Sequence, residues 1–221
     1  MKKHLVALAA AVALAPAALA EPVINRWNTP NSMGCMLLRE CKKDVWRVHS
    51  VADIETYIEH PNYDPVREEV DALISELDRM GVEVYLADEK YFTRGVAGTY
   101  HAQMNNFYLN NSYVDDPYQL QQTVRHEAWH AAQDAMAGTI DNTMLAVIVD
   151  EKDVPADIKL MVEIAYPENA RPWENEAKWA GEVKNMTLEV LQVINRTNGR
   201  PWEEIEPTPL TRLWLERNGY L

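Results

Sequence analysis

The alternation of apolar and polar residues along the first half of the chain predicts a small sheet and one amphipathic helix. Short runs that alternate with a two-residue period, or that are rich in β-branched residues, are typical of strands. Apolar residues at three- and four-residue spacing predict a helix that Asp64 and Pro65 begin and Gly81 ends. The predicted strands are residues 45–48, 82–86, 95–101 and 106–109.

Capping residues delimit a long helix in the middle of the chain. Asp116 is a suitable N-cap, Pro117 fits the first turn because its missing N–H has no intrahelical partner there, and Gly138 is typical of a helix end. The predicted helix extends from Tyr118 to Ala137. Its apolar positions share one face and are mostly small, so another helix can approach it closely. They are Leu120, Val124, Ala128, Ala131 and Ala135.

Helices dominate the prediction for the rest of the chain. Pro172 fits the first turn of a second long helix, whose apolar positions continue to Ile194. Shorter helices are predicted at residues 155–166 and after Thr208. The apolar run at 144–149 is compatible with either a strand or a buried helical segment. The predicted fold class is therefore α+β, mainly helical, with a small antiparallel sheet.

The first 20 residues have the features of a secretory signal peptide. Lys2 and Lys3 form a charged n-region, an Ala/Leu/Val-rich run follows, and Ala-Leu-Ala at 18–20 fits a cleavage site. The apolar run is too short and too rich in alanine for a membrane span. We expect cleavage after Ala20, no stable membrane insertion of the mature chain, and a bacterial-type periplasmic or secreted protein. Residues 21–221 are expected to form a single domain.

Cys35 and Cys41 are the only two cysteines of the 221-residue chain. In an oxidising compartment, an even count at short separation favours a disulfide, provided that a turn brings the two Cα atoms within about 7 Å. A thiolate pair that binds a metal is the alternative. We favour the disulfide, because the chain contains a better metal-binding motif.

The chain is acidic, with 34 Asp and Glu residues against 21 Lys and Arg residues and a formal net charge of −13. Loss of Lys2 and Lys3 with the signal segment makes this charge about −15. Such a surface disfavours nucleic acid and anionic membranes as partners. A cationic peptide is compatible with it.

The strongest chemical signal is an H-E-x-x-H motif, from His126 to His130, on the predicted central helix. Residues four apart on a helix lie one turn above each other, so both imidazoles can bind one tetrahedral cation. Glu127 then lies beside the cation without binding it. Its carboxylate can take a proton from an attacking water and pass it to a leaving amine.

With this motif the chain resembles the zincin metallopeptidases, and among them the gluzincin type, whose third zinc ligand is a glutamate on a later helix. No histidine follows His130, so the zincin pattern with a third histidine close behind the motif is absent. Glu174 matches the gluzincin pattern E-x-x-A followed by a small residue, with Ala177 and Gly181 on the same helix face. Glu176 is the alternative, because periodicity places it in an apolar stripe where an unpaired carboxylate is costly.

The resemblance implies a zincin-like domain that binds one Zn²⁺ per chain and hydrolyses a peptide or protein substrate. His126, His130 and either Glu174 or Glu176 would bind the metal, and Glu127 would act as the general base. We favour Glu174 and keep Glu176 as the alternative ligand. The resemblance gives no indication of the oligomeric state.

Other residues near the motif are candidates for supporting roles. Gln133 and Asp134 lie one turn beyond His130, where either can orient an imidazole by accepting its N–H. The resemblance implies that residues 107–109 belong to an edge strand that lines the substrate cleft. In this chain Lys178 occupies the position four residues after Glu174 at which the family often has an aspartate. Four residues are candidates for stabilising an oxyanion, although no motif supports any of them: Tyr100, His101, Tyr108 and Tyr113.

Two other functions are compatible with the same motif. A zinc amidase that acts on the peptide stems of peptidoglycan would keep the site and change only the substrate. A catalytically inactive, zinc-stabilised binding protein of the cell envelope is the other alternative. Glu127 argues against the inactive protein, because a purely structural zinc site closes its fourth position with another ligand and needs no adjacent base.

Overall fold

The computed structural model describes residues 44–58, 62–138 and 144–221. These residues form an α+β fold that is mainly helical and contains one four-stranded sheet, which confirms the predicted class. No helix in these three ranges is long and apolar enough to cross a membrane. The predicted signal segment and the predicted disulfide between Cys35 and Cys41 lie outside the described residues.

The first half of the described chain contains the four strands and two helices, and the second half is helical. The strands are β1 (Val45–Arg47), β2 (Glu83–Ala87), β3 (Gly98–His101) and β4 (Asn106–Asn110). The helices are α1 (Val51–Glu55), α2 (Arg67–Arg79), α3 (Pro117–Met136), α4 (Ala156–Ala165), α5 (Arg171–Glu182), α6 (Met186–Arg196) and α7 (Pro209–Arg217).

The sheet is mixed, which corrects the prediction of an antiparallel sheet. Its strand order is β1-β2-β4-β3, with β4 parallel to β2 and antiparallel to β3. The register pairs Val84 with Phe107 and Leu86 with Leu109. Every residue of β4 is buried, and a strand in such surroundings needs a hydrogen-bonding partner on both sides. The hairpin of β3 and β4 therefore places β4 inside the sheet and leaves β3 at its edge.

Helix α3 is the element against which most others pack. It contacts α2, α5, α6 and the strands β3 and β4, and its contact with α5 is the most extensive in the described part of the fold. The Asp116 side chain accepts hydrogen bonds from the N–H groups of Tyr118 and Gln119, and Gly138 follows the helix with a φ of +115°. These findings confirm the predicted caps. All five residues of the predicted apolar stripe are buried.

The prediction of one long helix from Pro172 to Ile194 is wrong, because two helices, α5 and α6, occupy this stretch. The break lies before Asn185, whose backbone has a φ of +65°. The N–H of Asn185 donates to the buried carboxylate of Glu69, which also forms an ion pair with Arg125 on α3. A side chain from α2 thus fixes the break, and no local sequence signal indicates it.

Residues 144–149 form neither a strand nor a helix, although both were compatible with their sequence. Their polar backbone groups bond to α3, α5 and the start of α7 instead of to a neighbouring strand. The N–H of Ala146 donates to the carbonyl of Gln133, and the N–H groups of Ile148 and Val149 donate to the carboxylate of Glu176. This extended segment consequently links α3 with α5.

Candidate metal centre

The two histidines of the motif lie on one face of α3, as the helical spacing predicted. The ring centroids of His126 and His130 are 4.9 Å apart, and the ring planes are nearly perpendicular, at 85°. His130 is buried and His126 is partly buried. Both rings are thus held at a place where solvent competes only weakly with a ligand.

Glu174, in the first turn of α5, completes a group of three possible metal ligands. Its Oε2 atom lies 3.3 Å from Nε2 of His126 and 3.7 Å from Nε2 of His130. One ligand atom from each residue lies within 4.8 Å of the other two. Of the two predicted glutamates, the structure brings Glu174 to the histidines.

Small residues on α5 let this helix approach α3 closely. A Cβ atom added to Gly181 would lie only 3.2 Å from the carbonyl oxygen of Gln122 and 3.5 Å from Cβ of His126. Ala177 is completely buried on the same face. The small residues that follow Glu174 in the sequence pattern therefore do bring the two helices into contact.

The donor set fits a zinc ion. Tetrahedral ligands at about 2.0–2.1 Å from Zn²⁺ lie about 3.3 Å from one another, which is close to the 3.3 and 3.7 Å found for Glu174. The Oε2 atom of Glu174 is buried and has no hydrogen-bond partner, although two imidazole nitrogens face it. Two nitrogens and one oxygen leave a fourth position for water or substrate, as in catalytic zinc sites.

The charges in this group favour a cation between the histidines and Glu174. Burial alone would raise the pKa of Glu174, but the imidazoles of His126 and His130 outweigh it and hold the pKa well below its usual range. Burial alone would lower the pKa of His130, but Glu174 and Glu127 raise it to about 9. The lowered pKa of Glu174 and the raised pKa of His130 thus both indicate that this group favours a positive charge beside the two carboxylates.

Glu127 is buried beside this group and is held by the edge strand. Its Oε2 atom accepts a hydrogen bond of 2.7 Å from the backbone N–H of Tyr100 on β3. Gly98 permits this close approach, because a Cβ there would lie 2.7 Å from Cγ2 of Thr123 and 2.9 Å from Cγ of Glu127. Burial raises the pKa of Glu127, so this carboxylate binds a proton more readily than an exposed glutamate does.

Gln133 takes the supporting role that its position one turn beyond His130 predicted. Its Oε1 atom lies 2.8 Å from Nδ1 of His130, on the side of the ring opposite Nε2. Asp134 accepts a hydrogen bond of 2.7 Å from the hydroxyl of Tyr100. Because the Tyr100 hydroxyl donates to Asp134, it is not a free donor for an oxyanion at the candidate metal centre.

Glu176 is not brought to the histidines, which corrects its place as the alternative third ligand. It is 1 % exposed, and its carboxylate accepts four hydrogen bonds. Burial raises its pKa, and these donors partly offset the effect. The carboxylate of Glu176 is therefore paired with hydrogen-bond donors rather than with a metal. The donors are Trp129 Nε1 (3.1 Å), Gln133 Nε2 (2.7 Å), Ile148 N (3.1 Å) and Val149 N (2.6 Å).

A cleft of about 390 Å³ opens onto His126 and Glu127. It lies between the chain leading into β3 and the helices α3, α4 and α5, so its walls come from four separate parts of the sequence. Lys178 lines it and forms an ion pair of 2.7 Å with Glu182 rather than supporting a ligand. Residues 107–109 are buried inside the sheet, and the expectation that they line the cleft is wrong, because β3 is the edge strand.

Tyr166 is a functional candidate that the sequence did not indicate. It ends α4 and lines the cleft, whereas the four aromatic residues considered as oxyanion donors do not line that cavity. Burial, the negative charges of Glu174 and Glu127, and a hydrogen-bonding interaction with Glu174 all raise the pKa of Tyr166, so its hydroxyl keeps its proton beside that carboxylate. No local motif marks a tyrosine at a helix end, and only the folded chain brings it near Glu174.

We compared the chain with models of protein families, with curated proteins and with solved structures, and none of the three comparisons gave a match. The function must therefore be inferred from the chemistry of the site itself.

Proposed function

We propose that the protein is an exported, zinc-dependent metallopeptidase of the zincin type. The observation that carries this proposal is the convergence of His126 Nε2, His130 Nε2 and Glu174 Oε2, with the carboxylate of Glu127 buried beside them at the cleft. A purely structural zinc site has no use for a second, non-ligating carboxylate next to an open position. His126, His130 and Glu174 are the proposed zinc ligands, with one Zn²⁺ per chain.

Zinc, when bound, lowers the pKa of a water molecule and polarises a scissile carbonyl group. The chain supplies the remaining chemistry. Glu127 holds one carboxylate oxygen on the N–H of Tyr100, which leaves Oε1 to take a proton from the attacking water and return it to the leaving amine. We assign the hydroxyl of Tyr166, which lines the cleft beside Glu174, to move from that carboxylate and donate a hydrogen bond to the oxyanion that develops on the substrate.

The shape of the cleft supports an extended peptide as the substrate. Residues 95–98, which lead into the edge strand β3, form one wall, and an extended peptide can lie along this wall. The opposite wall contains apolar residues of α4, including Met161 and Val162. The features of residues 1–20 support a periplasmic or secreted location, and the negative net charge disfavours nucleic acid as a partner.

Hydrolysis of a peptide library by the zinc-loaded protein tests this function. We expect cleavage by the wild type, and a loss of about a thousandfold or more in kcat for Glu127→Gln, because that variant lacks the base but keeps the shape of the side chain. The Gln side chain can still accept the N–H of Tyr100, so zinc content should not change. Equal cleavage by the wild type and Glu127→Gln would contradict the proposal.

A further inference from the structure

We infer that Glu176 is a positioning residue, which acts through Gln133 to determine which ring nitrogen of His130 faces the metal. This inference rests on the proposed zinc site. Glu176 lies two residues after the ligand Glu174 on α5, but its carboxylate faces α3 and the segment at 144–149. Helix α5 would then serve the metal twice, directly through Glu174 and indirectly through Glu176.

The first step is the orientation of the Gln133 amide. Gln133 is completely buried, so the protein must satisfy its donors and its acceptor. Its Nε2 atom lies 2.7 Å from Oε2 of Glu176 and 3.1 Å from the carbonyl oxygen of Trp173. A carboxylate and a carbonyl both accept, so the NH₂ group must occupy this side and Oε1 must point the other way.

The second step is the choice of ring nitrogen at His130. Oε1 of Gln133 can only accept a hydrogen bond, and Nδ1 of His130 lies 2.8 Å from it. Nδ1 must therefore carry a proton. A neutral imidazole has one protonated nitrogen, so Nε2 keeps its lone pair, and Nε2 is the atom that lies 3.7 Å from Oε2 of Glu174. The tautomer and the direction of the ring both suit metal binding at Nε2.

The third step is the rigidity of Glu176. Three donors other than Gln133 hold its carboxylate: the indole N–H of Trp129 and the backbone N–H groups of Ile148 and Val149. The two backbone donors cannot move away without moving the segment at 144–149, and the Trp129 side chain is buried in the core. Glu176 is thus fixed before any metal binds, and Gln133 receives a fixed partner. Removal of such indirect partners of metal ligands typically weakens metal binding about 10–100-fold.

A merely structural role for Glu176 would give a different result. In that case loss of Glu176 would loosen the 144–149 segment and α5, and its effect on zinc affinity would add to that of a change at Gln133. If Glu176 acts through Gln133, the two changes remove the same interaction and their effects do not add. A double-mutant cycle therefore separates the two roles.

The experiment compares zinc dissociation constants, measured by competition with a chelator, for the full chain and four variants. Glu176→Ala and Gln133→Met should each weaken zinc binding about 10–100-fold, and the double variant should be no weaker than the weaker single one. Glu176→Gln should recover part of the affinity, because a glutamine oxygen in the place of Oε2 still accepts from Gln133, Trp129 and Ile148, whereas its NH₂ group loses the bond with the N–H of Val149.

A spectroscopic signal and a matched control complete the test. Imidazole NMR of the zinc-loaded wild type should show a slowly exchanging Nδ1 proton on His130, which Gln133→Met and Glu176→Ala should lose. Glu69→Gln alters another buried carboxylate that bonds to α3, through Gln121 and Arg125, but that contacts no proposed ligand. This control should change zinc affinity by no more than about threefold.

The outcomes distinguish the inference from the proposed function. If the wild type binds no zinc, or if His126→Ala binds as much zinc as the wild type, the proposed metal site itself is wrong. If zinc binds in that way but the effects of Glu176→Ala and Gln133→Met add, or the Nδ1 proton of His130 still exchanges slowly in both, only the inference is overturned. An equal loss of affinity in Glu69→Gln would also overturn it, because the effect would then be general destabilisation.

Discussion

The carboxylate of Glu127 accepts a hydrogen bond of 2.7 Å from the backbone N–H of Tyr100, which attaches the proposed base to the edge strand of the sheet. The distance between β3 and α3 therefore controls where this carboxylate points. Gly98 sets that distance, because it is the residue of β3 that lies against Thr123 and Glu127.

Gly98→Ala should reduce activity without removing zinc. The added Cβ would lie 2.7 Å from Cγ2 of Thr123 and 2.9 Å from Cγ of Glu127, so β3 must move away from α3 and turn the carboxylate. We expect a loss of about 1–3 kcal/mol in stability, measured by denaturant unfolding, and a clear loss of kcat. Adding Thr123→Ser, which removes Cγ2, should restore part of both. An active, fully stable Gly98→Ala variant would contradict this account of β3.

Tyr166→Phe should lower kcat about 10²–10³-fold, because it removes the hydrogen bond proposed for the developing oxyanion. KM and zinc content should change little, since the ring still fills its place and the hydroxyl binds no metal. Steady-state kinetics on a cleaved peptide provides the measurement. Tyr108→Phe is the matched control, because its hydroxyl bonds to Asn106 inside the sheet, and it should keep its kcat. Equal kcat in wild type and Tyr166→Phe would exclude the role.

Zinc affinity should rise with pH up to about pH 9. The pKa of His130 is raised to about 9 by Glu174 and Glu127, so below that pH zinc must displace a proton from Nε2. One displaced proton gives a rise of about tenfold in affinity per pH unit. Chelator competition at several pH values measures this slope. An affinity that does not change between about pH 7 and 9 would show that His130 does not carry the displaced proton.

The metal-free protein should lose stability over a related range of pH. A histidine whose pKa is higher in the folded state than its ordinary 6.5 stabilises the fold fully below 6.5, and this contribution is lost as pH rises through about 9. Denaturant unfolding of the metal-free chain from pH 6 to 10 should show the decrease. Glu174→Gln should make this decrease in stability smaller, because it removes the carboxylate that raises the pKa of His130. A flat profile in the metal-free wild type would be inconsistent with the charge balance of the site.

The sequence was sufficient to predict α3 and its motif, because caps and helical spacing are local. Asp116 and Gly138 delimit the helix, and the four-residue interval alone places His126 and His130 on one face. The same information could not choose between Glu174 and Glu176. The choice depends on donors from residues 144–149, and hydrophobic periodicity does not indicate where such a distant segment packs.

The other differences between the sequence prediction and the structure also arise from contacts between distant parts of the chain. The position of β4 inside the sheet follows from its parallel pairing with β2, and alternation along a strand does not indicate which neighbours it pairs with. The end of α5 follows from the bond between Glu69 and Asn185, residues that are far apart in the chain. Tyr166 meets the metal centre only through the packing of α4 against α5.

The most direct test of the central claim is the zinc content of the purified mature protein, measured by elemental mass spectrometry after dialysis. We predict about one zinc per chain in the wild type and little in His126→Ala, His130→Ala and Glu174→Ala. Glu182→Ala, a change of the same kind at the other end of α5, should keep its zinc. No zinc in the wild type after reconstitution, or full zinc content in Glu174→Ala, would contradict the proposed site.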